Sequence, residues 1–372
     1  IAVAGQMVTG RLGAATSSRR AAPSLIVQAR ERTEMVRTAI GARRVVYGEA
    51  MTSGPLLFAA STGAAKEYLH LVVPLAAHEV EAIDDLYFNE TPATDPRFAG
   101  HSRVNRRLGE PGQLADADLV AEVAEWTPAH RLRGVAYAYA RLQWSAEVWP
   151  TGLPNLKAVV RGRKLFDPRD GGVRWSSNPA LCVRDYLAAE FGLGAGPAEI
   201  DDASFIAAAN ICDEMVALTE SAVTAAADPA QGWLDLAAAT ALERGDKIWM
   251  STTGVLPSGL SAGVDYFVIP ASPAAARTRV KLASTYANAL AGLAIAIGSA
   301  GSGTHTLTRK AQARYTCNGV VDLDQKPIDA MEQLLSACAG VLVYQQGRYR
   351  LFAGAATVAT AASHPSTLAS WR

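Results

Sequence analysis

Short apolar runs separated by turn residues dominate the first part of the chain, and long amphipathic stretches are rare. The pattern predicts strands at 42–50, 55–60 and 67–76, the last through the buried-type run LHLVVPLA. Ile83, Leu86 and Phe88 supply the next apolar anchors, with Asp84-Asp85 read as a turn between them. Residues 91–112 are loop-like. In 114–126, Leu114, Leu119, Val123 and Trp126 fall near one face of a short helix. Val135, Tyr137 and Tyr139 then alternate through a strand at 131–144.

After Gly152-Leu153-Pro154, read as a domain junction, the segment 156–175 predicts strand, long hairpin and return strand. Leu156, Ala158 and Val160 share a face, and Gly171-Gly172 supplies the positive φ that hairpins use. Asn178 caps a helix predicted over 179–191, with Pro179 in its first turn and Gly192 and Gly194 stopping it. A second helix is expected over 201–213, with Asp201 and Asp202 at its N-terminus. A third opens at Pro327 and carries the stripe Ile328, Met331, Leu334, Leu335 and Cys338 as far as Gly340. Residues 341–352 read as a hairpin around Gln345-Gln346-Gly347.

Between the second helix and Tyr315 the texture changes. Ser, Thr, Gly and Ala are denser, and GDKIWMSTTG, VDYFVIP, TRVKLAS, GLAIAIG and THTLTRK read as strand-like segments separated by turn signals. The expected class is α+β, mainly β: antiparallel barrel or sheet domains with a few helices and an inserted small all-β domain. The expected division is an extended arm at 1–24, a β-rich domain at 25–150, a discontinuous α/β domain at 151–215 plus 313–372, and the insertion at 216–312. Leu165, Phe166 and Trp175 are expected to anchor the hairpin. Leu181 and Leu187 are expected to meet Leu334 and Leu335 in a shared core, which requires the insertion to leave and return at one place.

Composition narrows the picture. With 372 residues, 49% hydrophobic and 19% charged, the chain can bury a core and is not globally disordered. Its formal net charge of zero offers no global basic excess for a nucleic-acid surface. The basic clusters Arg103–Arg107, Arg131–Arg141 and Arg161–Arg169 read as faces paired with local acids. The longest nearly apolar run, 287–297, is well short of the ~20 residues of a membrane span, so no stable membrane insertion is expected. No signal peptide is visible, and a chain beginning with isoleucine reads as starting at a fragment edge. Cys182, Cys212, Cys317 and Cys338 form no CxxC pair and read as reduced, mostly buried thiols.

Every catalytic template fails. His70, His78, His101, His130, His305 and His364 have no metal-ligand spacing. The adjacent pairs Asp84-Asp85 and Asp201-Asp202 point apart in a strand and diverge on a helix, so turn and cap roles explain them. SAGSGTHTL lacks the Lys-Ser/Thr of a phosphate loop, and LPSGLSAG is not a nucleophile elbow. No catalytic residue, cofactor or metal ligand is assigned, and His78→Ala and Asp84→Ala are expected to be tolerated. Trp233, Trp249 and Tyr266 could stack on sugars if exposed, with core packing as the plainer role.

The stretch VRGRKLFDPRDGGVRWSSNPALCVRDYL resembles the central hub, or tail tip attachment, family of long-tailed bacteriophages. So do RYTCNGVVDLDQKPIDAMEQLLSACAG (314–340), MVRTAIGARRVVYGEAMTSGPLLFAA (35–60) and EYLHLVVPLAAHEVEAIDDLYFNE (67–90). The four blocks cover about half the chain and follow the family's order. The resemblance implies hub-type β domains in a virion structural protein that closes the tail tube as a homotrimer and takes part in host attachment and in opening for DNA ejection. It implies a place in the tail tip after assembly in the bacterial cytoplasm. Its partners would be distal tail and other tip proteins, the tape measure protein, and tail fibres or a host receptor, with phage DNA passing through without sequence-specific binding. It also favours an extended strand over a helix for 27–38. The alternatives are a tail-associated cell-wall hydrolase and a carbohydrate-binding β protein.

Overall fold

The computed structural model describes residues 43–272 and 277–354. The expected arm at 1–24, the segment 25–42 and the tail 355–372 lie outside the described residues.

The described chain opens with β1 (Arg44–Tyr47), β2 (Glu49–Ser53), β3 (Phe58–Thr62), β4 (Tyr68–Ala76), β5 (Ala82–Phe88), β6 (Thr91–Pro92) and β7 (Ser102–Arg107). Helix α1 (Ala117–Glu122), β8 (Ala136–Gln143) and β9 (Leu156–Arg161) follow. Two antiparallel four-stranded sheets form, in the orders β3-β4-β8-β7 and β2-β9-β5-β6. Their facing side chains make one core, with Leu71, Val73 and Leu75 of β4, Ala138 and Ala140 of β8, Leu86 and Phe88 of β5, and Leu156, Ala158 and Val160 of β9. The opposite faces of β4 and β8 carry Val72, Tyr137 and Tyr139 against Leu119, Val123 and Trp126. Strand β8 is therefore buried on both faces, and the Val135-Tyr137-Tyr139 alternation marks only one of them.

Two local expectations change here. Leu114 is exposed and lies before α1, because the Asp116 carboxylate accepts the Leu119 N–H at 3.1 Å and starts the helix two residues later. Asp84 and Asp85 do not turn the chain. They sit within β5, at a register irregularity between Ile83 and Leu86, and the strand continues to Phe88.

The stretch 156–175 divides differently from its sequence reading. β9 pairs with β2 and β5, whereas the hairpin consists only of β10 (Lys164–Asp167) and β11 (Gly172–Trp175). Gly162 separates them, where a Cβ would collide with the Val46 carbonyl. Residues 156–161 thus belong to the first pair of sheets, and the structural junction falls at Gly162, beyond 152–154.

Helices α2 (Pro179–Ala188) and α3 (Asp202–Asp213) come next, followed by β12 (Met215–Asp228), β13 (Trp233–Thr240), β14 (Lys247–Thr252), β15 (Tyr266–Pro270) and β16 (Arg277–Ala283). Helix α4 (Tyr286–Leu290) precedes β17 (His305–Ala313), β18 (Gly319–Asp322), α5 (Pro327–Ser336), β19 (Val341–Gln345) and β20 (Arg348–Phe352). The fold is mainly β with few helices, as its sequence class predicts. Strands β12-β13-β16-β15-β14-β17 close into a barrel. Its core holds Leu234, Leu236, Ile248, Met250, Val268, Val280, Leu282 and Leu307. The segment 292–298 is not a strand: it runs as coil, bonding through the Ile295 N–H to the Leu282 carbonyl at 2.7 Å and burying Ile297 in the barrel.

Met215 pairs with Ala313 in the β12–β17 ladder, so the barrel leaves and returns through adjacent residues. On the near side of that crossing, α2, α3, α5, β18 and β20 enclose a separate core. β1 joins the two body cores: Val45 and Tyr47 point into this one, and Val46 points into the core between the sheets. Its backbone partner on one side is β18.

Candidate functional site

The resembling block 160–187 builds the β10–β11 hairpin and all but the last residue of α2. Asp167, with its side chain 1% exposed, closes the hairpin loop. It accepts from the Arg169 guanidinium at 2.8 Å and from Arg174 at 2.9 Å. Burial raises the Asp167 pKa, but its hydrogen bonds and charge pairing with Arg169, then Arg174, outweigh burial and hold it below the ordinary carboxylate range. Arg169 also reaches Asp213 at the end of α3, at 2.8 Å. Asn178 caps α2 by accepting the Ala180 N–H at 3.0 Å, and its amide donates to the Ala209 carbonyl of α3 at 2.9 Å. Asp167, Arg169 and Asn178 thus fix the hairpin loop and a helix end, while Arg161 and Lys164 reach Asp84 and Glu79 outside the block.

The sequence-predicted anchors separate into three groups. Leu165, Leu181, Leu187 and Leu334 are buried in one cluster, against which half-buried Leu335 packs. Trp175 is buried elsewhere, donating its indole N–H to the Gly48 carbonyl at 3.1 Å. Phe166 is not a core residue. It is 39% exposed, because alternation in β10 turns Leu165 and Asp167 inward and Phe166 outward, under the Arg184 guanidinium at 4.6 Å.

His78 also departs from its reading as a dispensable residue. It is buried, its Nε2 accepts the Val46 N–H at 2.9 Å, and its Nδ1–H donates to the Glu79 carbonyl at 2.6 Å. Burial lowers its pKa to about 4, consistent with a neutral ring serving both bonds. Asp84 pairs with Arg161 at 2.9 Å. His70 is buried between Thr62 and Tyr139, and His305 bonds Thr252 and the Ala300 carbonyl. Among the described residues, no group of three or more His, Cys, Asp or Glu is placed to hold a metal ion. All four cysteines are buried free thiols. Of the aromatic residues considered for stacking, Tyr266 is buried, Trp233 lies under Arg279, and Trp249 lies under Lys310 and donates to Asp265.

A polar site absent from the sequence reading lies where the barrel meets the body. Glu49 of β2, with its side chain 12% exposed, accepts from Arg277 of β16 at 2.8 Å and faces Arg244 at 3.4 Å. Arg277 also donates to the Ser272 carbonyl at 2.7 Å, and Arg244 to the Ala289 carbonyl at 3.2 Å. The Arg244 and Arg161 guanidiniums lie 5.6 and 6.0 Å from the Trp175 ring centroid. Burial lowers the Arg244 pKa, opposed by Glu49. Burial, then neighbouring Asp84, raises that of Asp85, which lines the adjoining 230 Å³ cavity with Glu49, Arg244 and Arg277. Glu49 and Arg277 are 228 positions apart, so local sequence carried no signal for their meeting.

No family profile matches the chain, and no curated protein matches it. Among solved structures, a chain described as belonging to the virion of a native gene transfer agent particle aligns over 70% of this chain and 75% of its own length. The identity is 14% and the TM-score 0.33, a likeness too slight to carry an argument.

Proposed function

We propose that this chain is the central hub of a phage-type tail tip, acting mechanically and without catalysis. One observation carries the reading. Two of the hub-like sequence blocks, 160–187 and 314–340, supply Leu165, Leu181 and Leu187 on one side and Val321, Met331 and Leu334 on the other side of a single core. The separately closed barrel interrupts the chain between them. In this reading the resembling residues hold a scaffold together, and the polar ones among them cap and tie its elements. The hub would assemble in the bacterial cytoplasm as a homotrimer, contact distal tail, tip and tape measure proteins, and close the tube until the attachment parts engage. DNA would then pass without sequence-specific contacts. Against the sugar-binding alternative, Tyr266 is buried, Trp233 lies under Arg279, and Trp249, 41% exposed, carries Lys310 over its ring.

An epitope inserted at the exposed turn Ser261–Gly263 and imaged with bound antibody fragments tests the reading. Label at the tail end opposite the capsid is expected. Label along the tube, on the capsid, or absent from intact particles would overturn it.

A further inference from the structure

We propose that the inserted barrel is a hinged module, held against the body by an ionic latch centred on Glu49, and able to swing away while both parts stay folded. The proposal does not depend on the hub reading. It rests on how the joint differs from the cores beside it.

Each part has its own apolar interior. The barrel cluster is drawn from residues 223–307, and the two body clusters from residues outside 216–312. Among the described residues, no apolar cluster spans the joint. The joint instead contains Glu49, Arg244 and Arg277, with side chains 12%, 8% and 9% exposed, and the ring of Trp175 within 6.0 Å of two guanidiniums. The 230 Å³ cavity lined by Glu49, Asp84, Asp85 and both arginines lies at this joint. A second 230 Å³ cavity lies between Asp167, Arg169 and Trp175 of the body and Tyr286, Ala287 and Leu290 of α4. The first, with Glu49, Asp84, Asp85 and two arginines in its walls, admits water.

Such a joint contributes little net free energy. Removing three charged groups from water costs much of what their attraction returns. A polar contact between parts of one chain favours relative motion unless a large apolar interface opposes it. When the barrel separates, Glu49 and both arginines regain hydration and neither apolar core is opened. The two chain crossings suit a hinge. Met215 pairs with Ala313, the Arg314 N–H bonds the Glu214 carbonyl at 2.8 Å, and the Tyr315 N–H bonds the Cys212 carbonyl at 3.1 Å. The connection is therefore a two-strand ribbon, which bends more readily than a packed sheet. A register shift between Ala217 and Ser221 adds an irregularity just inside the barrel.

The test places spin labels at Thr94→Cys on the body and Ser261→Cys on the barrel, both exposed, in a protein whose four native thiols are buried. Inter-label distances are measured in the otherwise unaltered chain, in Glu49→Gln, in Glu49→Arg, and in Glu49→Arg combined with Arg277→Glu. The unaltered chain should give one dominant distance. Glu49→Gln should broaden it, Glu49→Arg should shift most of the population to longer distances, and the double replacement should restore the original peak. Amide hydrogen exchange within β14 and β17 should stay protected in every variant. An unchanged distance in Glu49→Arg would overturn the proposal, because the seat would then be held by something other than the latch. Loss of protection in β14 and β17 on Glu49→Gln would also overturn it, by showing that joint and barrel unfold together.

Discussion

His78 offers a sharp test of the energetics of the body. Replacing it with alanine strips the Val46 N–H of its acceptor and the Glu79 carbonyl of its donor in a buried site. Leaving a buried backbone group unpaired costs about 1–3 kcal/mol, and the missing ring adds a cavity. The pH dependence carries a second magnitude. The folded pKa is about 4 against 6.5 for an ordinary histidine, so the shift of about 2.5 units corresponds to about 3 kcal/mol. The sign follows from proton binding. Between these values the unfolded chain binds a proton that the folded chain does not, so stability rises with pH. The contribution is complete above about pH 6.5 and is lost as pH falls through about 4. Urea unfolding at several pH values between about 4.5 and 7.5 should therefore show a steeper loss of stability in the native protein than in His78→Ala. His78→Gln can place an acceptor near the same position without titrating. It should recover part of the stability near neutral pH and share the shallower slope. Arg163, Asp185 and Glu79 act on the same ring and are common to all three proteins. If the native protein and His78→Gln lost stability in parallel on acidification, the neutral buried imidazole would not be the cause.

Leu334→Ala should cost about 3–4 kcal/mol, from three lost carbons at ~0.8 kcal/mol each plus an incomplete collapse. Leu335→Ala, at a half-buried site, should cost less, and Ile328→Ala, at a site 59% exposed, should be nearly neutral; chemical unfolding that ranked them otherwise would contradict the packing of α5. Replacing 216–312 with a short Gly-Ser linker should leave the body folded, because Met215 and Ala313 are ladder partners about 5 Å apart and a short closure adds little entropy cost. Loss of cooperative unfolding in that deletion would show the barrel to be part of the body's core. Cross-linking of purified tails should yield trimers of this chain, and recovery of hexamers alone or monomer alone would rule out the trimeric hub.

Much of the architecture was legible because short-range chemistry dictated it. Asn178-Pro179 started a helix through a side-chain cap, and Gln346-Gly347, both at positive φ, turned the last hairpin. The insertion was read from the denser Ser, Thr, Gly and Ala after the second helix and from the resembling blocks on either side of it. Misreadings arose where one residue served two neighbours. Leu156–Arg161 read as an arm of the hairpin because it directly precedes it, yet long-range pairing with β2 and β5 took it into another sheet. β12 and β13 were missed because VALTESAVTAAAD and WLDLAAAT carry too many small residues to show a bulky alternating face. The anchoring role of Phe166 failed on parity alone, since a strand offers only every second side chain to one side. The polar site was the least legible part. Glu49, Arg244 and Arg277 have no distinctive local spacing, and only the barrel's seat on the body brings them together.

The placement of the two kinds of joint explains why a change at His78 should be felt differently from one at Glu49. β1 is one strand serving two apolar cores, with Val45 and Tyr47 facing one and Val46 the other. Its outer backbone edge is satisfied by the His78 ring at the Val46 N–H and by the Arg163 N–H at the Val46 carbonyl, at 2.9 Å each. Loosening that edge exposes apolar surface on both sides, so the two body cores should unfold as one cooperative unit. Glu49 lies just beyond this strand, past Gly48, whose φ of 62° turns the chain where a Cβ would strike the Cys317 carbonyl. From there the side chain reaches the barrel through charge alone. Breaking its contacts exposes no shared apolar cluster, so the cost should appear as movement of the barrel with little loss of body stability. Two adjacent segments of one chain thus couple to neighbouring structure by different physics: apolar burial makes β1 cooperative, and the ionic contact beyond it leaves the barrel separable.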